Sequence, residues 1–185
     1  MGSSLQLCEM PDARARALRG ALAGAVAAAA WAAQMPLDKR VFGSDFDDVE
    51  LLGKALTRRR AWPLAGWTLH LGNGALFGAA YAQLAPRLPL PSWARGPLAA
   101  SAENFATWPL TALSDRLHPA RRELPAAFAN PRALAQSAWR HLLFGVLLGE
   151  LERRLNAPEP IEPADYARFA SSNGHGRPER VFSAG

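Results

Sequence analysis

Four ionisable side chains that interrupt apolar runs are the residues of this sequence most suited to chemistry. His70 and His141 each begin the pattern H-x3-G-x3-G, in HLGNGALFG and in HLLFGVLLG. Glu103 interrupts a third apolar segment, and Arg140 directly precedes His141 in a fourth. An ionisable group inside a membrane segment is costly unless it is paired, neutral or hydrated, so each is a candidate functional residue.

The two histidines allow three interpretations. On facing helices, His70 and His141 could be the axial ligands of a haem b iron, with the nearby glycines leaving space for the macrocycle. Either histidine could instead respond to pH or relay a proton. The simplest interpretation is that each imidazole forms a hydrogen bond to a neighbouring helix.

Glu103 is expected to need a partner inside the protein. Arg140 is the predicted charge partner, with Asn104 and the two histidines as alternatives for hydrogen bonding. The pair would either hold two helices together or belong to a polar interior made of Glu103, Asn104, Arg140, His70 and His141.

Composition and motifs favour a protein that is not an enzyme. The sequence contains no P-loop, no G-x-S-x-G and no H-E-x-x-H pattern. Cys8 is the single cysteine, which excludes a disulfide framework and a multi-cysteine metal site. We therefore expect no metal, and no cofactor unless the haem alternative holds. The net charge is +5, but no aromatic and basic motif accompanies the arginines, so no nucleic-acid partner is expected.

The distribution of charge predicts the elements that carry these residues. No charged residue lies between Arg19 and Asp38 or between Arg60 and Arg87. Both gaps approach the roughly 20 helical residues that cross a bilayer. With LAASAENFATWPLTALS and RALAQSAWRHLLFGVLLGELERRL as further segments, the sequence predicts an all-α, four-helix transmembrane bundle. The lipid bilayer is the expected partner, and arginines beside the segments would contact headgroups.

The expected boundaries follow capping residues and prolines. The first helix begins near Pro11-Asp12 and bends or ends at Pro36, and the second long helix closes at Pro86. A short amphipathic interfacial helix, capped by Ser44 or Asp45, lies between them. PRLPLPSWARGP is predicted to be a turn, and a loop is predicted from Asp115 to Pro131. The domain limits are residues 1–12 for a disordered lead-in, 13–156 for one membrane domain and 157–185 for a mostly disordered tail.

An internal repeat is predicted from a recurring order of residues. Trp31 and Trp108 each precede, by seven positions, an Asp followed by Lys or Arg, and each half then continues with Trp, His and two glycines. The halves, about 18–86 and about 96–155, would be tandem helical hairpins. Small residues spaced four apart permit close helix contact. The predicted packing residues are Gly20, Gly24, Gly74, Gly78, Gly145 and Gly149.

Three features of the sequence resemble the small YagU-like bacterial inner-membrane proteins. The second helix ends in YAQLAP, the third contains WPL and the fourth contains HLLFGVLLGELERRL. The resemblance runs from about Gly20 to Asn156. It implies a multi-pass protein of the bacterial inner (cytoplasmic) membrane, tied to envelope or acid stress, with both termini in the cytoplasm. It brings no catalytic residues.

We therefore expect a small transport, channel or envelope-support component that could form homo-oligomers through its glycine faces. Two alternatives stay open at this point. One is a bis-histidine membrane haem protein, and the other is a soluble all-α interaction protein.

Overall fold

The computed structural model describes residues 12–157, whose regular structure is entirely helical. The all-α class is thereby confirmed for this part of the chain. Residues 1–11 and 158–185, which include most of the predicted lead-in and tail, lie outside the described residues. The helices are α1 (Ala13–Phe42), α2 (Asp48–Leu56), α3 (Trp62–Leu84), α4 (Ser92–Thr107), α5 (Thr111–Leu117) and α6 (Pro131–Leu155), with 3-10 turns at Ala85–Arg87 and Trp108–Leu110.

Helix α1 begins as predicted, and of the two outcomes predicted for Pro36, a bend or an end, the helix does not end there. The Asp12 carboxylate accepts a hydrogen bond from the Arg14 backbone N–H at 3.2 Å, which caps the first turn. Pro36 lies inside the helix, which continues to Phe42. Proline lacks an N–H, so one helical hydrogen bond is lost at this position. Gly43 ends the helix in the left-handed conformation at φ 58°, which favours glycine.

A helix is present at the predicted interfacial position, but its cap is Asp47 rather than Ser44 or Asp45. The Asp47 carboxylate accepts from the Glu50 backbone N–H at 2.9 Å. The Ser44 hydroxyl instead accepts from the Phe46 N–H at 3.4 Å, which uses it in a local turn before the helix.

The predicted proline-rich turn is wrong over its second half. Helix α4 begins at Ser92 and includes Gly96 and Pro97. The helix includes these residues although Pro97 lacks a backbone N–H. Within it, Gly96 packs closely on Gly145 of α6. The loop predicted from Asp115 to Pro131 begins later in the structure, because α5 extends to Leu117. It ends as α6 begins at Pro131, behind an Asn130 cap.

The long helices pack in the order α3, α1, α6, α4, and α2 lies against α3. Neighbours are antiparallel: Gly20 and Gly24 of α1 face Gly78 and Gly74 of α3. A Cβ added to Gly24 would stand 2.0 Å from the Gly74 carbonyl oxygen. Five of the six predicted packing glycines lie at such contacts, and the sixth, Gly149, is less close, with its added Cβ 3.3 Å from the Gly96 Cα. Three glycines that were not predicted also lie at such contacts, namely Gly53, Gly66 and Gly96.

We predict that Gly78→Ala loosens the contact between α1 and α3. Its Cβ would stand 2.2 Å from the Gly20 carbonyl oxygen, so the backbones must separate. Overpacking of this kind costs about 1–3 kcal/mol. Thermal unfolding of the detergent-purified protein should show a lower Tm.

Gly72→Ala is the matched control for that variant. It lies on the same helix, and its Cβ would meet nothing within 4 Å. Its Tm should stay equal or rise, because alanine is the better helix former. An equal decrease of Tm in Gly78→Ala and Gly72→Ala would contradict the packing argument.

An exposed ion cluster joins α2 to the loop that precedes α6. The Glu123 carboxylate accepts from Lys54 at 3.1 Å and also from Arg58. The hydrogen bond from Lys54, followed by that from Arg58, lowers the pKa of Glu123 from its ordinary value of 4.5. The hydrogen bonds that Lys54 donates to Glu50 and, second in size, to Glu123 raise the pKa of Lys54. The loop is therefore held by charge to α2.

This cluster predicts a pH-dependent effect of Glu123→Gln. A carboxyl group whose pKa is lowered by folding stabilises the protein above its unfolded pKa, and this contribution is lost as pH falls through the folded value. The variant should unfold more easily than the original at neutral pH. The two Tm values should converge as pH falls below 4.5. A difference that persists unchanged in acid would contradict the assignment.

Candidate functional site

The side chain of Arg140 is the buried centre of the polar interior. It is 0% exposed. Its Nε and Nη2 donate to the two carboxylate oxygens of Asp38 at 2.6 and 2.7 Å. Its Nη1 donates to Asp48 Oδ2 at 2.7 Å. One guanidinium thus connects α1, α2 and α6.

Neutral donors complete this cluster. Gln136 Nε2 donates to Asp38 Oδ1 at 2.7 Å, and Gln34 Nε2 donates to Asp38 Oδ2. Trp31 Nε1 donates to Asp48 Oδ2 at 3.2 Å. Two carboxylates share one guanidinium, so the cluster carries one excess negative charge that these donors stabilise through hydrogen bonds.

The predicted ion pair between Glu103 and Arg140 is wrong. Glu103 Oε2 lies 3.0 Å from His141 Nε2, while Arg140 bonds the two aspartates. Successive residues of an α-helix point about 100° apart, so Arg140 faces α1 and His141 faces α4. The histidine alternative for Glu103 is the one that forms.

The His141 ring lies between two acceptors. Its Nδ1 is 2.8 Å from the Ser137 carbonyl oxygen, which can only accept, so Nδ1 carries a proton. Its Nε2 faces the Glu103 carboxylate. The pair therefore shares one further proton, either as imidazolium and carboxylate or as neutral imidazole and carboxylic acid.

Asn104 and Ser137 extend this arrangement between α4 and α6. The Ser137 hydroxyl donates to Asn104 Oδ1 at 2.7 Å. Asn104 is 2% exposed, and its Nδ2 has no hydrogen-bond partner within residues 12–157. An unpaired buried donor costs free energy, so this amide is suited to an acceptor supplied by a ligand.

His70 does not join these ion pairs. Its Nε2 donates to the Ala28 carbonyl oxygen at 3.0 Å, which matches the simplest interpretation of this histidine. Both imidazoles pack edge-to-face on Trp31, with ring centroids 5.3 Å away for His70 and 4.5 Å for His141. A haem held between them would have to displace the Trp31 indole from both contacts. Within residues 12–157, no group of three or more His, Cys, Asp or Glu side chains is placed to hold a metal ion.

A cleft of about 270 Å³ brings these groups together. Its aromatic lining consists of Trp31, Phe46, Phe77, Trp108 and Phe144. Its principal polar lining consists of Asp48, His70, Glu103, Asn104, Ser137 and His141. Among the residues that the structure describes, no lysine or arginine lines this cleft. The arrangement can bind a small molecule that has both apolar and polar parts.

Sequence reasoning missed three central residues of this site, Asp38, Asp48 and Gln136. Asp38 was visible as part of the predicted repeat, but no spacing connected it to Arg140, which lies 102 positions away. Asp48 was interpreted only as an acidic residue at the start of a helix. Gln136 gave no signal.

Comparisons with known proteins do not identify a family for this chain. No family model, curated protein or solved structure matches it. The resemblance to the YagU-like proteins stays a prediction, and function is argued from the residues themselves.

We predict that Arg140→Gln strongly destabilises the protein. The substitution leaves the buried Asp38 and the partly exposed Asp48 without their cation. Breaking a buried pair costs about 3–5 kcal/mol. Adding Asp38→Asn should restore part of the loss, because it removes one uncompensated carboxylate. Denaturant unfolding of Arg140→Gln, Asp38→Asn and the double variant, analysed as a double-mutant cycle, measures the coupling energy between Arg140 and Asp38.

Arg154→Gln provides the control for Arg140→Gln. Arg154 pairs with Glu150 at the exposed end of α6, so its loss should leave the unfolding curve unchanged. If the effects of Arg140→Gln and Asp38→Asn on the free energy of unfolding were strictly additive, the two side chains would not be coupled and the cluster would be refuted.

Proposed function

We propose that this protein is a multi-pass helical protein of the bacterial inner membrane, without enzymatic activity, that serves as a small transport, channel or envelope-support component. One observation carries the membrane assignment: charged and polar groups are buried while large apolar side chains face outward.

The contrast between interior and surface is large. Arg140 and Asp38 are 0% and 2% exposed, whereas Leu18, Leu64 and Leu76 are more than 70% exposed. Further outward-facing apolar residues occur on every long helix, including Val26, Trp67, Trp93, Phe105, Leu142 and Val146. In water this surface would be an extensive apolar patch, but in a bilayer it meets lipid chains.

The lengths of three of the four helices in the proposed hairpins agree with this proposal, and α4, at roughly 24 Å, is shorter than the others. At 1.5 Å per residue, α1, α3 and α6 are roughly 45, 35 and 38 Å long, and the apolar core of a bilayer is about 30 Å thick. Their close glycine contacts are of the kind that drives helix association in lipid.

By length and composition alone, α1 is the one helix of residues 12–157 that qualifies as a membrane span. Helices buried in soluble proteins can pass the same test, and this finding alone is weak support. Helix α3 has no charged residue, but His70, Asn73 and Gln83 lower its mean hydropathy. In the proposed arrangement His70 faces α1 rather than lipid.

The proposed architecture is two tandem hairpins, α1 with α3 and α4 with α6, related by internal duplication. Both pairs meet through glycines, at Gly24 and Gly74 in the first and at Gly96 and Gly145 in the second. His70 and His141, equivalent in the predicted repeat, both contact Trp31. The shared glycine packing supports the duplication, although α1 packs on α6 without the matching α4–α3 contact that an exact twofold relation between the halves would require.

Fractionation of cells that express the full chain tests the membrane assignment. We expect the protein in the membrane pellet, resistant to an alkaline carbonate wash and released by detergent, because four apolar spans resist removal from lipid. Release by the wash, or recovery in the soluble fraction, would overturn the proposal.

A soluble result would favour the all-α interaction protein. Its exposed leucines would then have to be covered by a partner or a second copy. Size determination of the detergent-free protein would show this assembly directly. For the membrane protein, size determination in detergent tests whether it forms a homo-oligomer.

A further inference from the structure

The cleft favours a positively charged ligand. Asp48 and Glu103 line it, whereas the guanidinium of Arg140 is fully buried and bonded to two carboxylates. Counting Asp38, Asp48 and Arg140, the adjoining cluster carries one excess negative charge. A cleft with charge of one sign and apolar walls concentrates its field on ions of the opposite sign.

The aromatic lining narrows the class of cation. Five aromatic rings surround the space. An ammonium group, especially one with methyl or methylene substituents, is attracted by aromatic faces and packs its carbon atoms against them. A strongly hydrated inorganic ion gains little from such walls. A small organic ammonium ion fits this lining better.

The unpaired amide of Asn104 adds a second requirement. Its Nδ2 is buried, has no acceptor among residues 12–157 and belongs to a residue that lines the cleft. A hydroxyl or carbonyl oxygen on the ligand would accept from it. The amide thus favours a ligand that carries an oxygen acceptor as well as its ammonium nitrogen.

We propose that the cleft binds a small organic ammonium ion that carries a hydroxyl or carbonyl oxygen, with Glu103 as its carboxylate partner, and that binding releases the proton shared by Glu103 and His141. The proposal rests on the proposed function in one respect, since this ion would be the species that the transport component binds. Charge is balanced, because one cation enters as one proton leaves.

The proton can leave from a defined position. After release, His141 keeps Nδ1–H on the Ser137 carbonyl, and Nε2 becomes an acceptor. Asp48 of α2 and His70 of α3 also line the cleft. Arg140 and Asp38 neutralise each other behind the cleft.

Calorimetric titration of the full-length protein in detergent, with choline as the probe, tests the proposal. Choline has a quaternary ammonium and a hydroxyl and should bind. Its neutral isostere, in which carbon replaces nitrogen, should bind at least about tenfold more weakly. Repeating the titration in buffers of different ionisation enthalpy, from about pH 5 to about pH 9, should reveal release of up to about one proton per choline.

Glu103→Gln supplies the matched variant. The side chain is 39% exposed, and the amide keeps its shape, so folding should be retained and checked by circular dichroism. Choline affinity should fall at least about tenfold, and proton release should disappear. Glu150→Gln removes a carboxylate from the far end of α6, where it pairs with Arg153 and Arg154, and should change neither quantity.

Three results would overturn the proposal: no binding of choline, equal affinity for the neutral isostere, or unchanged choline binding and proton release in Glu103→Gln. The comparison of the two probes uses the unmodified protein, so it does not depend on a variant. A failed titration with carbonate-resistant membrane protein would refute the cleft assignment alone. Specific binding by a soluble protein would refute only the membrane assignment.

Discussion

The buried guanidinium of Arg140 is the interaction on which the rest of the structure depends. It is bonded to Asp38 of α1 and Asp48 of α2, so three helices meet at one charged group. A buried charge without a partner costs more than any single apolar contact can offset. The positions of α1, α2 and α6 are therefore fixed together, and the cleft beside them takes its acidic character from the same cluster.

Glycine contacts set the distances at which this cluster can form. Gly24 against Gly74 and Gly96 against Gly145 bring helix backbones together where a single methyl group would collide with a carbonyl oxygen. Small residues thus determine the spacing of the helices, and the polar cluster determines which helices are neighbours. Trp31 occupies the space between these two kinds of contact and reaches His70, His141 and Phe144.

The sequence predicted correctly those features that depend on residues within a single helix. Helix class, the start of α1 and five of the six packing glycines follow from periodicity, capping and local spacing. The partners of Arg140 and Glu103 do not, because pairing depends on which helices become neighbours and which way each side chain turns. Gly96 was assigned to a turn because two prolines flank it at short distance, whereas its contact with α6 is consistent with a helical course.

The separation of Asp38 from Arg140 has a consequence for synthesis. During translation Asp38 emerges 102 residues before the cation that neutralises it. Until α6 has been made, the first hairpin carries the Asp38 carboxylate without the cation that neutralises it. The cluster that joins α1, α2 and α6 is therefore completed only when the last of these helices has been made.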